Sequence, residues 1–230
     1  MSTKRVLFLC FMLLGLSLSK VIAQSTYQVG FLPSINVNNK LKNDWAFNTK
    51  LESRLLTQKG NLNGKTDHRN QHVLTDLSFL AAKKIGLNSR LAGGYLLRVE
   101  AEGVRHRFMQ QFILVQRLSG IRWVHRFVFD QTFSKRDDHQ YRIRYRISTE
   151  IPLNGESVDP GEFYLKINNE YLNSFQASEY DLEVRLVPLL GFDLTKGYKI
   201  ETGMDYRANS FLNDPVRHSF WMCLNFFIDL

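Results

Sequence analysis

Three arginines two residues apart, Arg142, Arg144 and Arg146, alternate with Tyr141, Ile143, Tyr145 and Ile147. On an extended chain this spacing puts the guanidinium groups on one face and the apolar side chains on the other. Arg122 and Arg126, four residues apart, share one face of the preceding run. The five together make a basic track suited to anions, because guanidinium forks match carboxylate and phosphate geometry. Further on, Glu170, Asp181, Glu183, Glu201 and Asp205 alternate with apolar residues in the same way and form a candidate acidic side. If these faces turn inward, two outcomes are open. Opposed charges pair into a hydrogen-bonded plug, or a water-filled bore remains whose Arg track passes small anionic solutes.

Other reactive residues carry less. His125 falls on the apolar face of its run, where a catalytic His needs a Ser on a neighbouring strand. Ser134 reads as a loop residue and Ser148 as inward-facing, so a girdle position is the simpler reading. His68 and His72 have the spacing of helical metal ligands, but on a strand they stand about 13 Å apart. Asp137, Asp138 and His139 read as an exposed loop tip, and Trp45, Trp123 and Trp221 have no cofactor spacing. There is no phosphate loop, dinucleotide fingerprint, paired-Cys metal site or nucleophile elbow. No catalytic, cofactor-binding or metal site is assigned.

The elements that must position the charges are strands. Eleven segments can be read: Tyr27–Val37, Trp45–Leu56, His72–Ala82, Asn88–Ala101, Arg107–Leu118, Ile121–Phe133, Gln140–Ile151, Glu162–Leu172, Glu179–Leu194, Tyr198–Ala208 and His218–Leu230. Turn residues separate many of them, such as Asn154-Gly155 and Asp159-Pro160-Gly161, and the stretches Thr57–Asn70 and Asn209–Arg217 read as longer polar loops. The runs outlast ordinary soluble strands and approach the length that crosses a bilayer at a tilt. Aromatic residues near segment ends, including Tyr27, Trp45, Phe133, Tyr141 and Phe163, suit interfacial girdles. Short turns at one rim and long loops at the other complete the expected picture of a membrane barrel.

The chain opens with Lys4-Arg5, an apolar run from Val6 to Leu18, and Val21-Ile22-Ala23, the pattern of a secretory leader cleaved after Ala23. Residues 1–23 are therefore expected to be a signal peptide and residues 24–230 a single barrel domain. The formal charge of +8 falls to +5 once Lys4, Arg5 and Lys20 leave with the leader. The remaining charge is interleaved with apolar residues rather than clustered, which argues against nucleic acid as a partner. After cleavage Cys223 is the single cysteine, so burial and sheet closure must stabilise the fold without a disulfide.

Three stretches carry a resemblance: Pro33–Arg54, Gln140–Gly155 with its R-x-R-x-R and E-I-P-L phrases, and Gly161–Tyr171 with E-F-Y-L. On these, the chain resembles an uncharacterised family of Gram-negative outer-membrane proteins catalogued as domain of unknown function 2490. The resemblance spans nearly the whole mature chain. It implies a barrel and an outer-membrane address, and no activity comes with it. The last residue, Leu230, departs from the Phe or Trp on which many such barrels end.

The sequence thus predicts an all-β, closed, antiparallel, up-and-down transmembrane barrel. Single-chain bacterial barrels have even strand numbers, so ten to twelve strands are expected, twelve favoured, with one of the eleven segments miscounted. The expected partners are outer-membrane lipid, the barrel-assembly machinery and small anionic solutes. The expected role is structural or a narrow solute pathway. The alternatives are an outer-membrane lipid-modifying enzyme and a soluble periplasmic barrel holding an apolar ligand.

Overall fold

Strict alternation forces each strand to present one apolar and one polar face, and a sheet closed on itself can give each face a separate home. A computed structural model of the chain describes residues 25–62, 64–118, 121–135, 137–195, 197–212 and 215–230. The expected leader and its cleavage site lie outside the described residues. Among the described residues there is no helix. The strands are β1 (Thr26–Lys40), β2 (Trp45–Asn61), β3 (Thr66–Lys84), β4 (Ser89–Glu100), β5 (Gly103–Leu118), β6 (Ile121–Phe133), β7 (Gln140–Pro152), β8 (Phe163–Gln176), β9 (Glu179–Thr195), β10 (Tyr198–Asn209) and β11 (Arg217–Asp229).

Each strand pairs antiparallel with the next, and β1 closes the barrel against β11. The expectation of ten to twelve strands, twelve favoured, is corrected: there are eleven, and all eleven segments read from the sequence are strands. With an odd number, the first and last strands run in the same direction, so closure is parallel, in register from Thr26 opposite Arg217 to Asn38 opposite Asp229. The barrel is therefore not antiparallel throughout. Inward side chains reinforce the seam: Gln28 Nε2 donates to Ser219 Oγ at 2.8 Å, Ser34 Oγ to Asn225 Oδ1 at 2.7 Å, and Asn38 Nδ2 to Asp229 Oδ1 at 2.7 Å.

The apolar faces point outward. Ile143 is 55% exposed, and Phe31, Ile35, Leu51, Phe108, Phe127, Tyr171, Leu190 and Met222 share that surface. Charged and amide side chains fill the interior instead. A small apolar cluster of Leu32, Leu56, Leu189, Trp221 and Cys223 lies inside on the β1–β2–β9–β11 side, with the Arg54 guanidinium 5.9 Å from the Trp221 ring. The side chain of Trp221 fits because Gly30 faces it, and a Cβ there would come within 2.7 Å of the indole.

Two further expectations change. Thr57–Asn70 is not a loop, since β2 and β3 pair out to Gly60 opposite Thr66 and form a polar hairpin extension. The rims are not divided into short and long connections either. The longest, from Pro152 to Phe163 and from Asn209 to Arg217, lie at opposite rims.

Candidate charged interior

Because β6, β7 and β8 pair directly, their inward side chains fall into adjacent rows. Arg126 lies opposite Arg146, Asp130 opposite Arg142, and Arg146 opposite Glu170. Two carboxylates sit at the wall beneath several guanidinium groups. Asp130, 0% exposed, accepts from Arg142 Nη2 at 2.9 Å and from Arg144 Nη2 at 3.0 Å. Glu170, 1% exposed, accepts from Arg146 at 2.5 and 3.0 Å and from Arg144 Nη1 at 3.4 Å. Arg185 and Arg126 approach the same carboxylate at 3.7 and 4.0 Å.

Elsewhere in the interior most cations have a dedicated acid, while Arg54 shares Glu52 with Lys50. Arg98 forks onto Asp76 with two bonds of 2.7 Å, and Arg207 onto Asp205 at 2.6 and 2.9 Å. Arg185 donates to Glu183, and Lys50 to Glu52 at 2.5 Å. Glu201 receives both Lys166 at 2.7 Å and the Tyr164 hydroxyl at 2.9 Å. Such two-pronged pairs fix geometry as well as charge. They leave a cavity of about 510 Å³, lined by Arg107, Arg126, Arg142, Arg144 and Arg146 on one wall and by the paired charges and the apolar cluster elsewhere.

Of the five arginines in the basic track, Arg126, Arg142, Arg144 and Arg146 thus come together around this cavity. Arg122 stands apart, 40% exposed and paired with Glu150 at 3.3 Å. Of the acidic set, Glu183, Glu201 and Asp205 line the same cavity, while Glu170, on the strand next to that of Glu183, is enclosed among arginines. Asp181 bonds Ser210 Oγ at 3.5 Å, away from the others. On the outer face His125 Nδ1 meets the Tyr145 hydroxyl at 2.9 Å. His68 and His72 both lie on β3, and the described residues contain no cluster of metal-ligating side chains.

Sequence reasoning left out Arg107, Asp76 and Tyr164. The signal for Arg107 was present: Phe108 and Phe112 mark the outward parity of their strand, which sends residue 107 inward. For Tyr164 there was none, because Phe163, Tyr164 and Leu165 are apolar on both faces. Tyr164 lies inside, over Gly191 of β9, the residue opposite it, where any Cβ would collide with the ring.

These features define a class: a closed β-barrel of odd strand number, apolar outside and ionic within. The chain belongs to the family described as "Protein of unknown function (DUF2490)", whose model matches residues 29–216. No curated protein and no solved structure matches the chain.

Proposed function

We propose that the protein is an outer-membrane β-barrel whose charged interior braces a narrow wall. The observation that carries this reading is the inversion of faces, with Ile143 and its equivalents outward and Arg144 and its equivalents inward. In water such an arrangement exposes a belt of large apolar residues and buries charges at a desolvation cost. In a bilayer the apolar belt meets hydrocarbon, and the charges face an interior where they pair with one another. From Tyr141 to Ile151, at about 3.3 Å per residue and a tilt of roughly 40°, the apolar row spans about 25 Å, which fits an outer-membrane hydrocarbon layer. The leader-like N-terminus supports export.

A second reading, a narrow pathway for small anions, is favoured by the cavity and its guanidinium-lined wall. The membrane reading predicts that the protein fractionates with outer membranes and runs at different positions on gels before and after boiling. A soluble protein that shows neither behaviour overturns it. The pathway reading predicts stepwise, anion-preferring currents from inserted barrels in planar bilayers, with the preference reduced in Arg126→Gln. Silent inserted barrels would remove the pathway and leave the structural role.

A further inference from the structure

Two carboxylates serve five guanidinium groups on the β5–β6–β7 wall. Asp130 and Glu170 are paired with Arg142, Arg144 and Arg146, and no ion pair of 4.0 Å or less joins Arg107 to any acid among the described residues. Arg107 is 6% exposed and its Nε donates to the neutral Thr132 hydroxyl at 2.9 Å. Arg126 reaches Glu170 only at 4.0 Å, and its buried Nε has no hydrogen-bond partner. Arg142 is 8% exposed, and its Nε is likewise unmatched. All five arginines line the cavity, whereas Asp130 and Glu170 lie at the wall and do not. The space therefore faces a surface of cations with spare donors, and unmatched buried charge of this kind is costly unless a counter-charge supplies the difference.

We infer that this wall is a binding site for a small oxyanion of two charges, of the phosphate type, held between Arg107 and Arg142, which stand two positions apart in register on either side of β6, with Arg144 beside them. Three observations converge on that class. Around Asp130 the guanidiniums of Arg107, Arg142 and Arg144 outnumber the one carboxylate by two, which suits a divalent anion better than chloride. The spare groups are guanidinium N–H donors, whose fork geometry matches tetrahedral or carboxylate oxygens. A cavity of about 510 Å³ lies within the size range of small-ligand sites. The inference rests on the inward placement of the arginines and deepens the pathway reading without requiring conduction: bound tightly the anion is a structural counter-ion, bound weakly it is a transit station.

The test uses the purified full-length barrel in phosphate-free detergent, titrated with inorganic phosphate and pyrophosphate against sodium chloride at equal ionic strength. Calorimetry should show saturable binding of the two oxyanions, and the urea midpoint should rise with them and not with chloride. Arg107→Gln leaves no carboxylate without its partners, so the variant should fold. It should weaken phosphate binding at least tenfold while raising the midpoint of the phosphate-free barrel. That pair of opposite signs is what a purely structural arginine does not give. Arg105→Gln, outside the cluster at the rim where Arg105 pairs with Glu100 and Asp137, should bind as the parent does. Equal effects of phosphate and chloride, in a barrel that still shifts on boiling, overturn the anion site alone. Loss of the boiling shift and of membrane fractionation overturns the membrane reading instead.

Discussion

Glu170 shows what a single residue carries, because four arginines from three strands converge on its carboxylate. Glu170→Gln keeps the volume and removes the charge, leaving those guanidiniums to repel one another in a poorly solvated space. A loss of about 3 kcal/mol in unfolding free energy is expected, read from urea midpoints of the folded barrel in detergent. Arg122→Gln, at a pair that is partly open to solvent, should cost less than about 1 kcal/mol in the same assay. The arginine run and Glu170 were legible in the sequence, since alternation alone assigns a face to each. The partners were not, because pairing depends on the register between strands: Arg146 meets Glu170 through a β7–β8 alignment that no local pattern encodes.

Between β8 and β9 the chain turns through Ala177 and Ser178, both at positive φ, 48° and 67°. Gln176 pairs with Glu179 across them, which makes a two-residue hairpin of the kind that favours Asn-Gly. Neither Ala nor Ser is at ease in the left-handed region. The double change Ala177→Asn with Ser178→Gly should therefore raise stability by about 1 kcal/mol, visible as a higher urea midpoint. The same two residues hide the end of β8: Ala177-Ser178 carries no Gly, Asn or Pro, whereas Asn173-Ser174 has turn chemistry, so the sequence predicts an end at Leu172, four residues early. Gly191 gives the converse case. Gly191→Val should drive the Tyr164 ring off β9 and away from Glu201, with a cost of about 2 kcal/mol and a lower yield of folded barrel after refolding into detergent.

At the level of the whole molecule, the parallel seam is the feature that alternation could not reveal. Alternation marks every one of the eleven strands, yet the parity rule for bacterial barrels predicts an even number. Periodicity reports that a strand exists and which side is apolar; it carries no information about which neighbour closes the ring. The seam can be checked directly. In a chain with Cys223 replaced by Ser, cysteines at positions 34 and 225 occupy facing seam positions and should form a disulfide under mild oxidation. The linked product should run faster on denaturing gels until reduced. No cross-link in the folded barrel would mean that β1 and β11 are not partners.

Odd closure also separates the two ends of the polypeptide. Thr26 begins β1 at the rim from which β11 rises at Arg217, and Asp229 finishes at the other. If the wall sits in a bilayer, whatever is joined ahead of residue 26 emerges in one compartment and whatever follows residue 229 emerges in the opposite one. An even-stranded ring would return both to the same side. Epitopes fused at the two positions should therefore answer oppositely to an impermeant protease, one cut and one protected, giving the protein a head and a tail across the membrane.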